Sequence, residues 1–368
     1  MPPKIAIDAR MIEFSGIGTY LRNLLEELAG IESEFQFDVG CPQPELISRL
    51  PSAKFRWVRT RARIYGVKEQ WEILRLARRA DLLHCPHYNV PYFYGGRLVV
   101  TIHDLSHLMF PQFLPHRPAW LYALVMLGAA VKKARKIITD SEFSKQSIQE
   151  RLGVPEQKIR VIHPGLSPWL VPGPNPVDLA PLRRLGVTLP YVLFVGLLKP
   201  HKNVGRLIGA FARLPAERRN ATQLVIAGKK DADYPALERL ACELAVDRQV
   251  IFTGHVSRDD LVALYAGAAV FALPSLNEGF GLPALEAMAY GVPVVASNCS
   301  SLPEVVGDAG ILVDPRDEGA IAGALESLLA DQALCQRLGK LGRERAREFS
   351  ARKAAQQHLE VYREVLSS

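Results

Sequence analysis

Cysteine is scarce in this sequence. The five residues Cys41, Cys85, Cys242, Cys299 and Cys335 lie at least 36 positions apart in a chain of 368. No CxxC pair, zinc-ligand spacing or disulfide framework is written there, which fits a reducing compartment. Long apolar runs are missing too. The longest, Ala119 to Val131, has 13 residues, short of the roughly 20 that a membrane-spanning helix needs. The opening MPPKIAIDAR has no apolar core or small-residue cleavage site of a secretory signal, so a cytoplasmic location is expected. No internal repeat or low-complexity tract appears. Net charge is absent from the second half: residues 173–368 carry 22 basic and 22 acidic side chains, whereas residues 1–172 carry 23 against 16. The whole excess of +7 therefore lies in the first half. Much of it falls between Arg49 and Arg79, where Lys54, Arg56, Arg59, Arg61, Arg63, Lys68, Arg75 and Arg78 face only Glu69 and Glu72. Such a field attracts anionic lipid, nucleic acid or an anionic acceptor; a solvated basic face is the plainer reading.

What is present is an ordinary globular composition, 48% hydrophobic and 23% charged, in a chain long enough for two domains. Short β-branched runs alternate with helical periods, which predicts an α/β fold with parallel sheets covered by helices. The first series of strands is Lys4–Asp8, Phe35–Gly40, Phe55–Arg59, Asp81–His84, Leu98–His103, Lys136–Thr139 and Ile159–His163. A second begins at Tyr191 and continues through Leu224–Ala227, Val250–Thr253, Val270–Leu273, Pro293–Ser297 and Ile311–Val313. Two Rossmann-like domains follow, residues 1–170 and 171–351. The final helical pattern, within 352–368, is long enough to return to the first. Seven prolines between Pro164 and Pro190 predict a linker there, because they can continue neither a helix nor a central strand.

The most specific motif is EGFGLPALE, Glu278 to Glu286, after the strand VFALPS. Pro283 suits a first helical turn. Gly279 and Gly281 let backbone approach a ligand closely, and the helix start favours a diphosphate. Two carboxylates separated by seven residues across this turn can grip hydroxyls on either side of that diphosphate. Lys199 and Lys202, just beyond the strand YVLFV, can neutralise charge on a leaving group. The loop SGIGT offers Gly16 and Gly18 ahead of a helix, although Leu21 stands where a dinucleotide fingerprint needs its third glycine. His103-Asp104 ends the apolar strand VVTIHD, where α/β proteins place functional groups. Asp231-Ala-Asp233 has the form of a metal-binding pair, but its place beside Lys229 and Lys230 points to a nucleotide-facing loop. The helix AWLYALVMLGAAVKKARK is apolar nearly all round, as a buried helix is, with a basic end that suits a membrane surface.

The E-x7-E pattern of Glu278 and Glu286 resembles that of the family 4 retaining glycosyltransferases of GT-B fold. KIAIDARMIEFSGIGTYLRNLL, CPHYNVP, VTIHDLSHLMFP, ITDSEFSKQSI and EGFGLPALEAMAYGVPVVAS are most similar to the mannosyltransferase-B-like group. The likeness spans nearly the whole chain. It implies two Rossmann-like domains with parallel sheets facing across a cleft, and transfer of a hexose without metal or cofactor. It implies front-face attack, with the leaving diphosphate taking the acceptor's proton. Glu278 would then bind donor-sugar hydroxyls and Glu286 the ribose. The amides of Gly279, Phe280 and Gly281 would face sugar and phosphates. Lys202 would stabilise the diphosphate, with Lys199 a second cation. Gly16 and Gly18 would close over the phosphates, and His103 would lie near the sugar. Gly228, Lys229, His255 and Val256 would line the base pocket. The family often carries arginine after the glycine of the lysine loop and an Arg-Lys pair later; this chain has Leu197 and His201 there. The donor implied is GDP-mannose, with UDP-sugars as alternatives. The acceptor is a saccharide or lipid-linked saccharide, met at the inner face of an anionic membrane, and no nucleic-acid partner is expected. A nucleotide-sugar-binding protein without catalysis and a nicotinamide-dependent dehydrogenase are the rival readings.

Overall fold

The computed structural model describes residues 2–43, 53–113, 117–188, 190–230 and 232–368. Arg49 of the basic cluster and Asp231 of the D-x-D pair lie outside them. The chain divides into two compact units, Met1–Pro168 with Ser350–Ser368, and Trp169–Phe349.

The first unit holds β1 (Lys4–Asp8), β2 (Gln36–Cys41), β3 (Phe55–Arg59), β4 (Leu82–Cys85), β5 (Leu98–Thr101), β6 (Lys136–Thr139) and β7 (Ile159–Val161). They form one parallel sheet in the order β3-β2-β1-β4-β5-β6-β7. The second holds β8 (Tyr191–Val195), β9 (Gln223–Ala227), β10 (Val250–Gly254), β11 (Val270–Leu273), β12 (Val294–Ser297) and β13 (Gly310–Val313). Their parallel order is β10-β9-β8-β11-β12-β13. Strands that read as unbroken apolar runs are buried on both faces: Ile5, Ala6 and Ile7, like Val192, Leu193 and Phe194, have no exposed surface. In each sheet the order reverses beside the first strand, between β1 and β4 and between β8 and β11. Ligands of open parallel sheets bind at the carboxyl ends beside such a reversal.

The last helix, Ala351–Ser367, buries Ala355, Leu359 and Tyr362 among Leu21, Leu25 and Phe37 of the first unit. Its crossing needs glycine at position 165, where a Cβ would stand 2.0 Å from the backbone nitrogen of Ala351. The boundary between the units falls at Pro168–Trp169, inside the proline-rich stretch. Beyond it the chain belongs to the second unit, with Leu170 and Leu182 buried. Pro181 opens the helix Ala180–Arg184, and Arg184 reaches Asp260 at 2.9 Å. Proline is tolerated here because a first helical turn wants no backbone donor.

Candidate active site

In the second unit the loops after β8 and β11 are neighbours because those strands pair. They bring together two side chains 76 residues apart: Lys202 Nζ donates to Glu278 Oε2 at 2.7 Å. Ser275 Oγ donates to the other carboxylate oxygen at 2.8 Å. Both oxygens of Glu278 are thus held. The lysine loop is pinned by Asn203, a non-glycine residue at φ 61°, whose buried amide donates to the carbonyls of Pro274 and Pro315 at 2.9 and 2.7 Å. The His201 carbonyl accepts from the Leu276 amide at 2.7 Å. Lys199 lies off this pair, 3.5 Å from Asp233.

Gly281 (φ 102°) turns the chain into the helix Leu282–Ala289, a left-handed conformation that disfavours any side chain. Ser301 Oγ braces the turn by donating to the carbonyls of Glu278 and Phe280 at 3.0 and 2.8 Å. The Phe280 ring is buried and packs on Phe349, so its side chain is taken up by the core. One turn into the helix, buried Glu286 accepts from Tyr265 Oη at 2.7 Å. Burial pushes its carboxyl up to about 7, and the Tyr265 hydrogen bond works against that rise. Gly228 meets the Gly196 carbonyl, 2.0 Å from where a Cβ would stand. Close backbone crossing accounts for that glycine. Lys229 and His255 are exposed and Val256 half-buried at the neighbouring strand ends.

In the first unit Gly16 is exposed at a break in the helix Ser15–Gly30. Gly18 is buried, and a Cβ there would stand 2.3 Å from the Ile12 carbonyl. A backbone contact therefore explains Gly18 without a ligand. His103 Nδ1 is 2.7 Å from Asp140 Oδ2, and Nε2 is 3.1 Å from the Pro86 carbonyl. Asp104 Oδ1 accepts from the Ser106 amide at 2.7 Å, so it caps the following turn. Beside them Arg10 makes two 2.8 Å bonds to Asp8 and one of 3.1 Å to Glu69. Asn89 and Tyr122 also donate to Glu69. Sequence reading missed Ser275, Tyr265, Asn203, Asp140 and this Arg10 group. Asn203, Asp140 and the Arg10–Glu69 contact arise from strand order, Tyr265 from helix packing, and Ser275 and the Arg10–Asp8 pair from local spacing; the sequence signal nearest to one of them is the Asn that follows His-Lys at 201–202.

Two doubly wound sheets, with a cation and two carboxylates around a glycine turn at a helix start, are the architecture of a nucleotide-binding α/β protein. Comparison with known proteins agrees. Residues 14–169 match the family model "Glycosyltransferase Family 4" and residues 184–345 match "Glycosyl transferases group 1". O-antigen chain mannosyltransferase B of Escherichia coli is 33% identical over 284 residues, covering 77% of this chain and 74% of that protein. The serotype-specific mannosyltransferase WbdA of Escherichia coli is 30% identical over 287 residues, 77% of this chain but 35% of that longer protein. Anabaena HepE in complex with UDP and glucose superposes with a TM-score of 0.79 at 20% identity, over 98% of this chain and 100% of that one. The chain belongs to glycosyltransferase family 4, is similar to its mannosyltransferase-B-like members, and has the GT-B fold of two Rossmann-like domains.

Proposed function

We propose that this glycosyltransferase moves mannose from GDP-mannose to a saccharide or lipid-linked saccharide, with retention at the anomeric carbon and without metal. The Lys202–Glu278 pair at the β8–β11 reversal carries the reading, and the names of the two mannosyltransferase relatives support the sugar. Lys202, with Lys199 as a second cation and the helix start at Gly281, takes the diphosphate. Glu278 and the Gly279–Gly281 backbone take the sugar, and Glu286 takes the ribose. Gly228, Lys229, His255 and Val256 border the base. In the first unit, Gly16 and His103 are the proposed site residues. Double displacement needs a free carboxylate as nucleophile. Glu278 is engaged at both oxygens, which supports front-face attack with the leaving diphosphate as proton acceptor. The UDP and glucose of HepE favour a second reading, a UDP-sugar donor. Transfer of labelled mannose by the purified protein tests the proposal, and labelled glucose moving from its UDP donor instead would select the second reading.

The acceptor side is proposed to meet an anionic membrane. Among the described residues no helix is long and apolar enough to cross one. The helix Arg117–Lys133 is not buried all round, however. Ala123, Met126 and Leu127 face the core, whereas Leu121 and Val125 are exposed by more than half. Val67, Trp71 and Phe93 are exposed as well, and Arg59, Arg61, Arg63, Lys68, Arg75, Arg78 and Arg79 reach solvent. Each such cation near an anionic surface contributes about 1 kcal/mol, so charge dominates and apolar side chains add to it. The protein is expected to sediment with vesicles containing anionic lipid and to release as salt rises past physiological strength. Binding indifferent to both lipid charge and salt would refute this mechanism, and no binding at all would point to a soluble acceptor.

A further inference from the structure

We infer that Asp140 is a positioning residue that, with the Pro86 carbonyl, holds His103 as an imidazolium through neutral pH, so that the ring supplies fixed positive charge and takes no part in proton transfer. The inference rests on the reading of His103 as a site residue and adds its protonation state and the group that sets it.

The geometry follows from the sheet. β4, β5 and β6 are parallel neighbours, with Cys85 opposite Val100 and Thr101 opposite Ile138. Pro86, His103 and Asp140 each stand one or two residues beyond a carboxyl end, so three consecutive strands deliver a carbonyl, an imidazole and a carboxylate to one place. The Pro86 carbonyl only accepts hydrogen bonds, and an ionised carboxylate only accepts. Contacts of 3.1 and 2.7 Å therefore call for a proton on both ring nitrogens. A neutral ring with its proton on Nδ1 would turn the Nε2 lone pair on the carbonyl oxygen.

Asp140 depends on the ring in turn. Its Oδ1 is buried without a hydrogen-bond partner, and His103 is the cation it meets among the described residues. Next to it Ser141 caps the helix Glu142–Leu152, which fixes the backbone from which the carboxylate projects. Ser144 Oγ donates to the His103 carbonyl at 3.0 Å and fixes the other side.

The remaining titratable neighbours leave this pair alone. Asp104 on the same turn adds negative charge that favours the imidazolium. His84 of β4, His87 beyond it and His358 of the last helix are held neutral, burial being the main cause in each. Burial likewise keeps Tyr20 protonated; its ring meets the His103 ring edge-on at 4.9 Å, and its hydroxyl is engaged by Thr101 and His358. For His103 burial alone would favour the neutral ring, but the Asp140 charge and hydrogen bond, with Asp104 and the Pro86 carbonyl, outweigh it and raise its pKa. With both N–H groups committed, the ring has none left to give a substrate; what it offers is charge.

The test is a ring-nitrogen NMR spectrum of the full chain labelled with ¹⁵N-histidine, with His103→Gln assigning the signal. Both His103 nitrogens should show protonated shifts from pH 6 to 8, and Asp140→Asn should lower the titration midpoint by more than one pH unit, a tenfold or larger change in proton affinity. A single neutral tautomer at pH 7, or a midpoint unmoved by Asp140→Asn, would overturn the inference. If Asp140→Asn does not fold, the wild-type spectrum decides alone. In transfer assays, Asp140→Asn should lose turnover as pH rises through its lowered midpoint, where wild type stays level. An enzyme inactive with every donor would count against the proposed function while leaving the spectrum to judge the imidazolium.

Discussion

Replacing Lys202 with alanine should slow a single turnover on GDP-mannose by about 100-fold or more, the usual consequence of removing one preorganised stabiliser of developing charge. On the proposed reading the lysine acts in two ways at once. Its ammonium would stabilise the leaving diphosphate, and it neutralises Glu278, whose side chain is only 9% exposed beside a lysine at 18%. Removing one partner of such a buried pair leaves an uncompensated charge. Ser275 alone then holds the carboxylate. Lys202→Ala and Glu278→Gln should accordingly combine to less than the sum of their separate effects, because each disables the same pair. Glu278→Ala should cost more in turnover than in affinity for free GDP, since its proposed partner is the sugar. Rapid-quench rates within error of wild type for Lys202→Ala would remove the lysine from the chemistry.

Glu286 carries the second large effect. A carboxylate accepting from ribose hydroxyls makes charge-assisted hydrogen bonds worth roughly 1.5–3 kcal/mol each, so Glu286→Ala should weaken GDP-mannose binding by about 10- to 100-fold. The effect should depend on pH in a definite direction. Burial raises this carboxyl to about 7, so the ionised form that accepts two hydroxyls is depleted as pH falls through neutrality. Affinity should therefore fall between pH 8 and pH 6 in wild type and stay level in the alanine variant. Tyr265→Phe removes the hydrogen bond that favours the ionised form, so it should move the midpoint upward. Calorimetric titrations at several pH values check all three. An affinity independent of pH and indifferent to Glu286→Ala would take the ribose away from this residue.

Much of this architecture is legible in the residues because parallel strands buried on both faces are written as apolar runs. KIAID, YVLFV and VFAL are strands for that reason, whereas edge strands such as FRWVR and IRV are mixed and half-exposed. The glycine turn of Glu278–Glu286 is equally open, since Gly281 and Pro283 each have one conformational use there. What stays hidden is whatever the strand order brings together. Lys202 and Glu278 are 76 residues apart and His103 and Asp140 are 37 apart; no local period links them. Tyr265 and Glu286 meet from two helices of one unit, through packing that no motif records. The prolines of 164–190 mark the unit boundary at Pro168–Trp169 but hide the short helix Ala180–Arg184, because the backbone they forbid inside a helix is the one they favour at its start. The apolar helix Arg117–Lys133 likewise hides its exposed side, because Leu121 and Val125 look no different in sequence from Ala123 and Leu127.

The most direct test is transfer from GDP-[¹³C]mannose by the purified protein to methyl α-mannoside, with the product's anomeric signal read by NMR in the presence of a chelator. The account predicts an α-linked disaccharide carrying the label, formed with release of GDP and lost in Lys202→Ala. A β-linked product, or a nucleotide that binds while no label moves from GDP-mannose, would contradict it.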